Sequence, residues 1–416
     1  MPIQGKGPDL KGAINLSPSN FDAKKAGEVY KKSCKIRQAE IPAFDSVGTF
    51  KNELPAPMCG YSVNPSKRFT LDRRDMERGI QLEATEHPDF DLADIMTQFG
   101  FGPVIGFRKA RGGRVNQNWI VQTGDAQVVV RCVARERSLN DLRFEHAFIN
   151  DLSRSGLTYR FPIPLISTSG ESVIVKNGIH IWVYEYIEGL TRVSSTRGSI
   201  GLIATAMASI HEAAQHLTIP HSKITPLVIE DPWLLGTMRS WQLQLQGSAD
   251  ERIRFFCDHV QECISILEGL DCARYRMLPR IPIHGDWCMA NVVFAADELI
   301  GIIDFDHCCL DTAIRDITAL LQYECVDARA PFKLDISAAQ FFIRCYNRVS
   351  PLSHEEVTLI PAVAIAESAD AFWWKMYEIT NNQGGTITLS RIEDLFRTLC
   401  WFSSNEQEIT SALCEP

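Results

Sequence analysis

Residues 281–307 read IPIHGDWCMANVVFAADELIGIIDFDH. Three runs within them, IPIHG, NVVF and LIGIID, are too short and too β-branched for helices, yet they interrupt a half of the chain whose pattern is otherwise helical. Asp286 and Asn291 follow the first run, and Asp304 and Asp306 close the third. A carboxylate beside an apolar strand is costly to desolvate unless something pairs with it. The stretch therefore asks for a cation, a proton-transfer task, or both. Any fold for this chain must carry these groups on a small β-insert inside a helical body.

At 416 residues the chain is too long for one small core and predicts two or three structural units. Its charge is uneven. Residues 1–88 hold 14 Lys and Arg against 11 Asp and Glu, a balance of +3, and the remainder holds 28 against 40, a balance of −12. An acidic body disfavours nucleic acid as the main partner, because phosphate backbones are held by clustered Lys and Arg. It leaves room for a cationic or zwitterionic substrate, with a solvated acidic surface as the plainer reading. The thirteen cysteines are irregularly spaced and form no CxxC, which points to reduced thiols rather than a disulfide scaffold or zinc site. Neither a leader-like apolar segment nor a membrane-length run is present, so a cytoplasmic protein without a membrane partner is expected.

Residues 1–88 contain eight of the twenty prolines and few periodic apolar stretches, and read as an N-terminal extension. Residues 89–187 have a different texture. DFDLADIMTQFG reads as a short helix, followed by strand-like PVIGFRKA, VNQNWIVQT and AQVVVRCV, the last two joined by a turn at Gly124 and Asp125. SLNDLRFEHAFINDLSRSG reads as a helix with Ser138 as N-cap, and IPLISTS and IHIWVYEYIEG as two further strands. This predicts an α+β fold whose first lobe is an antiparallel sheet, with residues 188–416 forming a mostly helical second lobe.

His284-Gly285-Asp286, Asn291 five residues beyond Asp286, and Asp304-Phe305-Asp306 thirteen beyond Asn291 resemble the signature of the aminoglycoside phosphotransferase family. The resemblance covers roughly residues 90–380 and implies a bilobal, protein-kinase-like fold that transfers the γ-phosphate of ATP to a hydroxyl with the help of Mg²⁺. Such transfer needs alignment of the acceptor and neutralisation of phosphate charge more than covalent chemistry. By that resemblance Asp286 is the catalytic base, while Asn291 and Asp304 hold the metal, which prefers hard oxygen ligands. Asp306 is read as either a helper at the metal or substrate site or a local turn residue. His284, His211 and Asp316 are read as structural, Asp316 bracing the catalytic loop.

In the first lobe, Gly112 and Gly113 of RGGRVNQNW occupy the place of the family's phosphate-covering loop. The family's third strand usually carries a lysine that reaches the phosphates and pairs with a helix glutamate; here Arg131 stands in the strand and Glu145 in the partner's place. Arginine keeps the charge but is bulkier and forks, so the exchange is not a simple equivalence. VYEYIEGL resembles the linker between lobes, where backbone groups of Glu185, Tyr186 and Ile187 would meet adenine.

The tail CYNRVSPLSHEEVTLIPAVAIAESADAFWW looks most like homoserine-kinase-type members, which act on amino acids or amino alcohols. Glu367 and Asp370 lie three residues apart on one helical face near Trp373 and Trp374, a set that suits an ammonium group if it lines the acceptor site. The competing reading makes them solvated helix positions with core tryptophans. Two other functions stay open at this point: a nucleotide-binding pseudokinase acting as an interaction module, which Arg131 and the extension favour, and a kinase with a protein acceptor.

Overall fold

The computed structural model describes residues 90–110, 116–133, 137–192, 195–220, 223–225, 227, 232–380 and 387–414, together with position 88. Most of the N-terminal extension and the loop holding Gly112 and Gly113 lie outside the described residues. No described helix is long and apolar enough to cross a membrane.

Helix α1 (Leu92–Gln98) begins where the Asp91 side chain accepts from the Ala93 N–H. It covers one face of an antiparallel sheet built from β1 (Val104–Lys109), β2 (Gln117–Thr123), β3 (Gln127–Cys132), β4 (Ile174–Lys176) and β5 (Ile179–Glu185), in the order β1-β2-β3-β5-β4. Strand alternation gives β3 two destinations. Val128, Val130 and Cys132 pack with Leu92, Ile95 and Met96 of α1, whereas Val129 and Arg131 face the opposite side. That side is covered by α2 (Leu139–Arg154), whose start is set by a capping box between Ser138 and Asp141.

IPLISTS does not form the expected strand; the edge position belongs to Ile174–Lys176 instead. Pro162 and Pro164 remove two ladder donors, so against β5 this segment makes a bridge from Pro164 to Tyr184 and a bond from the Leu165 N–H to the Val183 carbonyl rather than a strand.

The chain then crosses to the second lobe through β6 (Leu190–Thr191), which pairs with β8 (Val292–Ala295). Gly189 makes this crossing possible. Its φ is +154°, and a Cβ there would meet the Val293 side chain and the Phe294 carbonyl. Nine helices follow among the described residues: α3 (Arg197–Ala214), α4 (Pro232–Leu245), α5 (Glu251–Glu268), α6 (Cys272–Met277), α7 (Ala313–Glu324), α8 (Ile336–Asn347), α9 (His354–Thr380), α10 (Leu389–Ser404) and α11 (Glu406–Cys414). The expected β-insert resolves into two small sheets. β7 (Ile281–Ile283) pairs with β10 (Cys309–Asp311), and β9 (Glu298–Ile302) extends the β6-β8 pair. A short hairpin of β11 (Val326–Asp327) and β12 (Ala330–Leu334) links α7 to α8. The long helix α9 packs on α7, α10 and α5, and its Trp373 stacks against Trp241 of α4 with ring centres 3.9 Å apart.

Candidate active site

The loop after β7 holds its shape through one buried carboxylate. Asp316, near the start of α7, accepts from the His284 N–H at 2.9 Å, the Gly285 N–H at 2.7 Å, the Trp287 indole at 2.9 Å and His211 Nε2 at 3.1 Å. Burial alone would raise its carboxyl, but the His211 hydrogen bond and the other donors hold it below the ordinary value. His211 is fixed in turn by the Tyr346 hydroxyl at 2.8 Å. Gly285 has φ +79°, and a Cβ there would overlap the His307 carbonyl oxygen, so only glycine fits.

His284 works as a strut. Its Nε2 donates to the Ile303 carbonyl at 3.1 Å, its Nδ1 accepts the Asp286 N–H at 3.2 Å, and burial lowers its pKa, which keeps the ring neutral. The Asn291 amide donates to both the backbone oxygen and Oδ2 of Asp286, each at 2.8 Å, turning its own oxygen away from that carboxylate. The Asn291 carbonyl accepts from the Ile303 N–H at 2.9 Å. Asp286, Asn291 and the residue before Asp304 are thus joined by direct hydrogen bonds. Asp304 itself sits at φ 69°, ψ 63°, a left-handed conformation that costs an L-residue energy and ends β9 abruptly.

Across the cleft stand two arginines of the first lobe. Arg131 Nη2 lies 2.7 Å from Asp304 Oδ1 and 2.6 Å from Asp306 Oδ1, and Arg137 Nη1 lies 2.6 Å from the same Asp306 oxygen. Asn116 donates to the other oxygen of Asp306, and Lys223 Nζ reaches the Asp306 carbonyl at 2.6 Å. Burial would raise the Asp306 carboxyl, yet Arg131 and Arg137 hold it well below the usual carboxylate range. Asp306 is 11% exposed and is held by these partners. Asp304 is 37% exposed and is the carboxylate that a cation entering the cleft can reach.

Arg131 does not pair with Glu145 as expected. Glu145, 1% exposed on α2, is paired by Arg137 Nη2 at 2.7 Å. Arg131 is instead turned to the second lobe, where its Nη2 alone meets both aspartates. Nothing marks Arg137 in the sequence: it precedes the N-cap Ser138 and belongs to no motif. Lys223 is equally unmarked, and Asn116, though inside RGGRVNQNW, takes no role of its own from that motif.

In the linker, Glu185 is exposed, Tyr186 half-buried and Ile187 buried against Gly301 of β9. The Tyr186 N–H already donates to the Gln127 carbonyl at 3.0 Å, so an adenine edge would have to use other backbone groups of this segment. Glu367 and Asp370 of α9 are both buried, against the reading of solvated positions, whereas Trp373 does pack in the core. Arg315 Nε lies 3.9 Å from Glu367 Oε1, and burial pushes the Glu367 carboxyl well up. The buried Tyr323 hydroxyl has no hydrogen-bond partner among the described residues; burial raises its pKa, and the charges of Asp286 and Glu367 raise it further. Tyr323 is therefore within electrostatic reach of both the loop carboxylate and α9.

The phosphotransferase enzyme family model matches residues 106–352, more than half of the chain. The chain belongs to this family. A homoserine kinase from Rhizobium etli is 24% identical over 305 residues, covering 73% of this chain and 90% of its own length. Among solved structures, an amicoumacin kinase in complex with AMP-PNP, Ca²⁺ and its ligand superposes with a TM-score of 0.53 at 16% identity, covering 77% of this chain and 94% of that one. A microcompartment-associated aminopropanol kinase gives a TM-score of 0.53 at 16% identity, covering 78% and 99%. These two structures share the bilobal protein-kinase-like fold. This member of the phosphotransferase enzyme family is a small-molecule O-phosphotransferase.

Proposed function

We propose that the protein transfers the γ-phosphate of ATP to a hydroxyl of a small molecule that also bears an amine, an amino acid, amino alcohol or amino sugar. The observation that carries this reading is the hydrogen-bonded unit of Asp286, Asn291 and the chain leading into Asp304. In it, Asp286 orients the acceptor hydroxyl and takes its proton. Asn291 and Asp304 would hold Mg²⁺, and the donor set suits that ion: one amide oxygen and one carboxylate, with phosphate oxygens and water to complete it. When bound, that cation would neutralise the charge of the phosphates.

The acceptor side of the cleft is assigned to α7 and α9. Buried Glu367, whose charge acts on the buried Tyr323 hydroxyl, and buried Asp370 three residues on suit a group that brings both positive charge and hydrogen-bonding atoms. The names of the homoserine and aminopropanol kinases agree with an acceptor bearing an amine and a hydroxyl. The deciding experiment incubates the protein with MgATP against a panel of hydroxylated amines and their deaminated analogues. ADP release with phosphate on the acceptor hydroxyl is expected for amines; turnover only with the deaminated compounds would reject the amine requirement.

A further inference from the structure

In members with a strand lysine, one side chain does two things: it pairs with the helix glutamate and it reaches the phosphates. We propose that in this chain two arginines divide these tasks, Arg137 holding Glu145 as a positioning residue and Arg131 serving the nucleotide phosphates. The proposal rests on the reading that the cleft takes a nucleotide.

Three observations carry it. Glu145 is almost wholly buried, and its only ion pair among the described residues is with Arg137 at 2.7 Å. A carboxylate so buried stays ionised only beside a partner, and removing that partner strands a charge. Arg131 meanwhile rests on Asp304 and Asp306, at 2.7 and 2.6 Å, and makes no ion pair with Glu145. Finally, Arg131 is 4% exposed, and its buried Nε–H has no hydrogen-bond partner among the described residues. A buried guanidinium donor left unmatched calls for an oxygen acceptor, and phosphate oxygens supply several. Burial disfavours the charge of Glu145, and Arg137 opposes this more strongly than Arg131 does. Arg137 also touches Asp306, so the same side chain ties α2 to the residue two beyond Asp304.

The test is a pair of double-mutant cycles on the full chain, read by thermal midpoint without nucleotide and by the Kd of a fluorescent ATP analogue with Mg²⁺. Glu145→Gln is combined with Arg137→Gln in one cycle and with Arg131→Gln in the other. The first cycle should be non-additive in midpoint, the double variant recovering part of what either single variant loses, because an amide pair replaces a half-broken ion pair. The second should be additive. Arg131→Gln should raise the nucleotide Kd about tenfold or more, while Arg137→Lys, which keeps a cation for Glu145, should hold it within about threefold of wild type. If Arg137→Gln does not fold, Arg137→Lys with Glu145→Gln replaces it in the first cycle. Coupling of Arg131 with Glu145, additivity of Arg137 with Glu145, or equal losses of nucleotide affinity for Arg131→Gln and Arg137→Lys would each overturn the division. Failure of the wild-type protein to bind the analogue would instead reject the nucleotide reading, and the role of Arg131 with it.

Discussion

Asp286 and Asp304 stand on the same short insert, yet their environments separate their tasks. Asp286 is held by the Asn291 amide through backbone and side chain, whereas Asp304 meets the first lobe through Arg131. Asp286→Asn should lower kcat by about 10²-fold or more while leaving nucleotide affinity within about twofold, since proton transfer in the transition state is what it removes. Turnover near the wild-type level with a working acceptor would reject that role. Asp304→Ala should abolish the Mg²⁺ dependence of ATP binding measured by calorimetry; a dependence that survives the change would reject Asp304 as a ligand. Glu367→Gln is expected to raise KM for an amine-bearing acceptor several-fold, with KM for ATP unchanged. Unchanged kinetics for both substrates would leave Glu367 as a partner of Arg315 alone. At this scale the motif residues were legible because chemistry dictates their types and spacing. Arg137, Asn116 and Tyr323 were not, because their roles come from what the fold brings opposite them.

The catalytic insert is held by elements far apart in sequence. Asp316 on α7 gathers the loop after β7, and Gly285 lets that loop pass beneath His307. Gly285→Ala combines a left-handed φ with an overlap against backbone, so it should cost about 2 kcal/mol or more and remove most activity. A melting midpoint and turnover close to wild type would show that the loop can move aside. Helices with clear end signals were legible: DFDLADIMTQFG forms α1, Ser138 caps α2 as its sequence predicts, and the described part of residues 188–416 is mostly helical. IPLISTS misled because its β-branched texture outweighed two prolines that cannot enter a ladder. Lone carboxylates on a helix surface pattern, such as Glu367 and Asp370, also misled, since burial on α9 depends on which helices cover it rather than on its own residues.

Across the whole molecule, buried histidine sets a pH response. His146 on α2 packs edge-on against Trp182 with ring centres 4.7 Å apart and bonds Ser172 at 2.8 Å. Burial, with Arg137 and Arg131 adding to it, lowers its pKa to about 3 from an ordinary 6.5. The folded pKa is depressed, so the unfolded chain takes up the proton first. This contribution to stability is complete above pH 6.5 and is lost as pH falls from 6.5 toward about 3, at up to about 1.4 kcal/mol per pH unit. The difference in melting midpoint between wild type and His146→Gln should therefore shrink, or reverse, from pH 7 to pH 5; a constant difference would show that His146 keeps its ordinary pKa in the fold.

The same arginines that satisfy the aspartates also decide how a nucleotide arrives. Asn116, Arg131 and Arg137 belong to the first lobe and Asp304 and Asp306 to the second, so their bonds form a clasp across the entrance. An incoming nucleotide must part that clasp before it can settle. Its observed association rate should consequently level off at high concentration at the rate of unclasping, and its apparent affinity is reduced by the fraction of molecules that stand open. The clasp thus becomes a toll on entry, and a variant with a weaker clasp would admit nucleotide faster even where it holds the phosphates less firmly.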